Sequence, residues 1–208
     1  MSIATAAKID DRAISTFGDE SGTEARAVEA TLRCLARYGY AKTTVDDIAR
    51  EAGISRATIY RVIGGKSQLF DRALVAEVAR IRDRVRAIAA PNESLESYVV
   101  AVVVATTREL LAHEVLNSLM GHEAEAIVSY VAVNGEAFVH AAVDVFAPLF
   151  ADRVSESQAR RLAELLTRIS ISNMGPAAQW VDLADPASAK VLVGGFVLPS
   201  ILNTGGTP

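Results

Sequence analysis

The residues best suited to chemistry lie close together between positions 43 and 66. Thr43 and Thr44 come first, then Ser55, Arg56, Ala57, Thr58, Tyr60 and Arg61 in one short run, and Lys66 closes the stretch. Hydroxyls and backbone amides can hold phosphate oxygens, and arginine can address a phosphate or a base edge. A helix with small residues, two arginines and one aromatic on its outer side is fitted to a DNA major groove. Each residue also has a plainer reading. Ser55 can be a helix cap alone, Arg56 and Arg61 solvated charges, and Tyr60 a core aromatic.

Signatures of catalysis nearly form elsewhere and then fail. Gly65-Lys66-Ser67 resembles the end of a phosphate-binding loop, but Tyr60 stands where the first Gly is required and a helix precedes it. Gly53-Ile54-Ser55-Arg56-Ala57 lacks the last Gly of a nucleophile elbow. His122-Glu123 starts a zinc-protease pattern, but Ala126 replaces the second His. His113, His122 and His140 have no ligand spacing among themselves. The expectation is a protein that is not an enzyme, with no metal and no cofactor.

Two short helices must position the 43–66 stretch. The first spans Val45 to Ala52, with Thr44 as N-cap and Asp47 as the reciprocal partner of a capping box. Gly53 permits a sharp turn, and Ser55 can cap a second helix running through Arg61. Val45, Ile48, Ala49, Ala52, Ile54, Ile59 and Val62 form the inner side, with small Ala49 where the helices approach. A preceding helix, Glu24 to Tyr38, carries the stripe Val28, Leu32, Leu35 and Ala36, takes Ser21 and Glu24 as its capping box, and stops at Gly39.

The run TVDDIAREAGISRATIYRVIGGKSQLF closely resembles the DNA-binding segment of TetR-family transcriptional regulators. Val62 and Ile63 stand where that family usually has an aromatic pair or His-Phe. The resemblance covers Glu24 to Phe70 and implies a ligand-responsive repressor that binds a palindromic operator as a homodimer. It implies phosphate contacts for Tyr60 and Lys66, and a small-molecule pocket in the helices after the motif. A second reading makes the motif a packing module in a helical binding or catalytic protein; sequence-specific DNA binding separates the two.

Charge fits the first reading. The chain of 208 residues has net charge −4, yet residues 24–66 hold eight Lys/Arg against five Asp/Glu, net +3. Residues 67–208 are net −5 and residues 1–23 net −2, so a locally basic head sits on an acidic body. Cys34 is the single cysteine, which excludes an internal disulfide; beside Leu32 and Leu35 it reads as a small buried residue. No secretory signal is visible, and the longest apolar run, Tyr98 to Ala105, falls short of a membrane span. A cytoplasmic protein with no membrane partner is the expectation.

The sequence divides into an arm at 1–20, read as disordered, a helix-turn-helix domain at 21–66, and a helical effector-binding and dimerisation domain at 67–208, about nine helices in all. The fold class is all-α. A long helix from Lys66 to about Ala89 carries Phe70, Leu74, Val78, Ile81, Val85 and Ile88 as a packing seam, with Arg80, Arg82, Arg84 and Arg86 solvated. Pro91 and Asn92 mark a break. Residues 93–112 are rich in valine, which locally favours strand, but no partner strand is apparent and a buried helix is expected. Further helices are expected at Glu114–Met120, Glu123–Phe150, from the Ser155/Gln158 cap to Asn173, and from the Asp185-Pro186 start to Leu202.

Polar or polarizable residues on the otherwise apolar body helices are the candidates for an effector pocket: Tyr98, Arg108, His113, Asn117, Met120, Tyr130, Asn134, Asn173 and Trp180. Few inward charges point to an apolar effector. A dimer surface is expected on the last two helices, from Leu162, Leu165, Leu166 and Ile169 and from Val191, Gly194, Gly195 and Leu198. The long helix from Lys66 to Ile88 would then link effector to DNA.

Overall fold

The computed structural model describes residues 22–173 and 181–202, with the side chains of Met120 and of eight residues between 124 and 133 left out. The expected arm, the Trp180 pocket candidate and the Met120 and Tyr130 side chains therefore lie outside the described residues. All described regular structure is helical, in the order α1 (Gly22–Lys42), α2 (Val45–Ala52), α3 (Arg56–Val62), α4 (Lys66–Ala89), α5 (Leu95–Leu111), α6 (Glu114–His122), α7 (Ala124–Phe146), a 3-10 turn (Ala147–Leu149), α8 (Glu156–Asn173), α9 (Pro186–Leu192), a π turn (Val193–Val197) and α10 (Leu198–Leu202). The last three segments run without a break, so they occupy the place of the single terminal helix expected from sequence.

Two compact units organise these helices. Among the described residues, 22–77 and 113–138 form one, and 78–112, 139–173 and 181–202 form the other. The units are interleaved along the chain. In the first unit, Ala27, Ala30, Cys34, Ile48, Ala49, Ile59 and Leu69 close a core over α2 and α3. Cys34 is buried there, and burial pushes its thiol up from the ordinary value. Ile63 joins this core, so an aliphatic side chain fills the corner before Gly64. The expected α1 stripe is corrected in part. Ala36 is exposed and Leu32 half-buried, while Ala27, Ala30, Thr31 and Cys34 are inside, because the helix presents a broader face to α2 than one four-residue row.

The second unit packs α5 at its centre. Val99, Val102, Val103, Val104 and Ala105 are buried against Phe150, Leu162, Val193 and Val197. Helix won over local strand propensity because Ser94 caps the segment and nearly every side of it finds apolar neighbours. The α4 seam is also adjusted. Ile81 and Val85 are buried, but Ile88 is 55% exposed and Ala89 takes its place, one further stride of four along the helix. Asn92 then donates from its side-chain amide to the Ala89 carbonyl at 3.0 Å and terminates α4. Asn134-Gly135 makes no turn; α7 runs straight through with Asn134 buried.

Candidate nucleic-acid interface

The α2–α3 unit is built by three local devices. Thr44 sits in extended conformation and its hydroxyl oxygen accepts from the Asp47 amide at 3.2 Å, while Asp47 accepts from the Thr44 amide at 3.1 Å. The Thr44 hydroxyl also donates to Asp47 at 2.6 Å, and these bonds hold the Asp47 carboxyl below its ordinary value. Gly53 then takes the left-handed conformation, φ 64°, that reverses the chain without Cβ strain. Ser55 caps α3 by accepting from the Thr58 amide at 3.0 Å.

A residue not singled out from sequence fixes the turn. Arg26 on α1 donates to the Ala52 and Gly53 carbonyls at 2.6 and 2.9 Å, satisfying the end of α2. The 26-residue separation hides that contact from any local pattern.

With Ile59 fully buried as the inner anchor of α3, Ser55, Arg56, Ala57, Tyr60 and Arg61 are exposed together and Thr58 is half-buried. Tyr60 is 47% exposed, which rules against the core-aromatic reading. Arg56 lies over the Tyr60 ring at 5.4 Å and pairs with Asp46 of α2 at 3.0 Å. Thr43 is placed differently from Thr44. It is only 2% exposed, and its hydroxyl donates to the Gly39 carbonyl at 2.6 Å, so its side chain is a structural plug behind the corner.

Lys66 starts α4. Its ammonium donates to the Ala41 carbonyl at 3.3 Å and lies 4.5 Å from the centre of the Tyr40 ring. Partial burial pushes this ammonium below its ordinary value, against an opposing pull from the Glu123 carboxylate. Gln68 accepts from the Gly65 amide at 3.0 Å and caps the same helix start.

Residues 27–73 match the family described as bacterial regulatory proteins, tetR family. That match includes the capped α2, the Gly53 turn, the outward face of α3 and Lys66. The N-terminal domain is a TetR-family domain. An uncharacterized HTH-type transcriptional regulator of Mycobacterium bovis is 30% identical over 89 residues, 43% of this chain and 47% of that protein. The HTH-type transcriptional regulator BetI of Agrobacterium fabrum is 37% identical over 78 residues, 35% of this chain and 37% of that protein. The chain thus spans less than half the length of these curated relatives. Among solved structures, the TetR family repressor AlkX from Dietzia shares the fold with TM-score 0.69 and 18% identity, covering 86% of this chain and 97% of that one. QsdR of R. erythropolis shares it with TM-score 0.63 and 18% identity, covering 84% and 94%. The TetR-like fold therefore extends beyond the matched 47 residues into the body.

The body candidates are not gathered into one described cavity. Tyr98 is buried, meets Phe150 edge-on with centroids 6.1 Å apart, and lies under the Arg153 guanidinium at 4.0 Å. It borders a charged cleft of about 710 Å³ with Arg86, Glu93 and Asp152. Arg108 donates to the Ala184 carbonyl at 2.8 Å and borders a second cavity of about 600 Å³, lined by apolar residues such as Val100 and Val104 and by the charged Glu96, Glu109 and Lys190. His113 caps α6: its Nδ1 accepts from the Leu116 amide at 3.2 Å and its Nε2 faces Glu77 at 3.1 Å. Asn117 is exposed, Asn134 buried, and Asn173 half-buried at the end of α8.

The dimer candidates divide as sharply. Leu162, Leu166 and Leu198 are buried inside their own unit, and Leu165 and Ile169 pack partly against the same core. Val191, Gly194 and Gly195 are exposed. Beside them Phe196, absent from the sequence-based set, is 69% exposed. The buried row of this run is Ala189, Val193, Val197 and Ile201, and Phe196 lies off it.

Proposed function

We propose that the chain is a DNA-binding transcriptional regulator, a homodimeric repressor that holds a palindromic operator and is released by a small apolar effector. One observation carries the reading: the outward face of α3, with Ser55, Arg56, Ala57, Tyr60 and Arg61 exposed around the buried Ile59, inside a segment that matches the TetR family. Arg56 and Arg61 address phosphates or base edges, Tyr60 and Lys66 address phosphates, and Thr44 offers the amide end of α2. The Thr43 hydroxyl takes no part, since Gly39 already accepts from it.

Dimerisation is assigned to the exposed face of the last helical run, around Val191 and Phe196. The effector is assigned to the cavity beside Val100 and Val104, whose apolar stretch suits an apolar molecule, while Glu96, Arg108, Glu109 and Lys190, which also line it, offer charged partners to any polar group that molecule carries. A cytoplasmic location follows from the same reading; among the described residues no helix is long and apolar enough to cross a membrane. The test is binding to DNA upstream of the protein's own coding region. Saturable, salt-dependent binding to an inverted repeat, with half-site centres about 34–36 Å or a multiple apart, is expected. Equal affinity for scrambled DNA would refute the reading.

A further inference from the structure

We propose that Glu123, the residue that closes α6, is a positioning residue for DNA binding, acting through the Tyr40–Ala41 peptide on Lys66. The inference rests on the regulator reading and adds a residue outside the helix-turn-helix segment. Gly39 breaks α1 with φ 76° and ψ 176°, immediately before the amides of Tyr40 and Ala41. The Glu123 carboxylate caps both, accepting from Tyr40 at 2.7 Å and from Ala41 at 3.1 and 3.3 Å.

Lys66 holds the same short segment, through the Ala41 carbonyl and the Tyr40 ring. The two charged side chains therefore hold one shared segment, directly before the Thr44 cap of α2. The carboxylate is itself anchored, because the Glu123 amide donates to the Leu119 carbonyl at 2.8 Å at the end of α6. Gly39 leaves the room it needs: a Cβ at that position would collide with a Glu123 carboxylate oxygen. A carboxylate on two backbone amides is a charge-assisted contact, stronger and more directional than a neutral one. Its loss frees the segment against which Lys66 is set.

The test uses Glu123→Gln, which keeps an acceptor without charge, and Glu123→Ala, which removes both. Amide hydrogen exchange in the DNA-free protein should speed up at Tyr40 and Ala41, by about tenfold in Glu123→Ala, with the α5 core amides unchanged. Unchanged exchange at both amides would overturn the contact itself. Operator affinity should fall in the order wild type, Glu123→Gln, Glu123→Ala, by about tenfold at the end of the series.

Glu123→Ala should also lower the salt slope by about one phosphate contact, and it should be sub-additive with Lys66→Ala. A merely structural loss would give additive effects and an unchanged slope, which would overturn the proposal. Tighter DNA binding by Glu123→Ala would also overturn it, marking the carboxylate as a repulsive charge. A wild-type protein without specific DNA binding would sink the regulator reading and any positioning role with it. Variants equal to a wild type that does bind would sink this inference alone.

Discussion

Arg56 is already engaged in the DNA-free chain, by Asp46 on one side and the Tyr60 ring on the other. Both partners are exposed, so the pair is weak and screened by salt, and a phosphate or guanine can replace the carboxylate. Arg56→Ala is expected to weaken operator binding and relax sequence preference, read by comparing operator with point-substituted sites. Lys66→Ala should weaken all sequences alike and lower the salt slope by about one. Identical slopes for Lys66→Ala and wild type would remove Lys66 from the phosphate contacts.

The cap residues make a separate acid-side prediction. Asp47 and Asp185 are both held below their ordinary values, the first chiefly by the Thr44 hydroxyl and the second chiefly by the Ser188 amide. The unfolded chain therefore binds protons before the folded one does. Their stabilisation is present above about pH 4 and is lost as pH falls through the depressed folded values. Thermal melts of wild type and Asp47→Asn between pH 6 and 3 should converge on the acid side. Curves that stay parallel would show that this cap does not titrate with folding.

Among the elements, those read well from sequence were the ones with complete local instructions. Thr44 with Asp47, Gly53, Ser55 and Asp185-Pro186 each carry a cap or turn rule within four residues, and α2, α3 and the start of α9 fall where those rules put them. The α5 helix needed one non-local argument, the lack of a partner strand. What stayed hidden depends on distant partners. Arg26 reaches a turn 26 residues away, and Glu123 reaches amides 82 and 83 residues away. The inward turn of Leu162 and Leu198 was equally illegible, since an apolar stripe does not say whether its cover comes from the same chain or a second copy.

That ambiguity sets a test. Phe196→Glu and Val191→Glu should lose the dimer in sedimentation while keeping the helical circular dichroism signal. Leu162→Ala should instead lower stability by about 2–5 kcal/mol, as a core cavity does, with dimerisation affected only through folding. A dimer that survives both surface charges would move the interface off the terminal helix.

For the whole molecule, α4 contributes residues 66–77 to one compact unit and residues 78–89 to the other. This shared helix supports the proposed link between effector and DNA. An effector can act only through unequal affinity for the two states, and a coupling of about 1–3 kcal/mol means roughly 5–150-fold weaker DNA binding. Operator DNA must then weaken effector binding by the same factor. Titrating each ligand with and without the other checks this, and an effector that leaves operator affinity unchanged would detach the body cavity from control.

The π turn at Val193–Val197 also acts as a correction to a screw thread. Ala189, Val193, Val197 and Ile201 are all buried, a stride of four residues repeated three times. An ordinary α-helix gains about 40° with each such stride and would carry the last of them well off the buried side. The slower winding of the π turn cancels part of that drift, as a leap day corrects a calendar. The segment therefore holds one residue in surplus. Deleting Gly195 should let the thread close to normal pitch with Leu198 and Ile201 still facing inward. Keeping the length while forcing normal pitch would rotate both by about 100° and bring them into water. At this point the chain tolerates a change of length better than a change of winding.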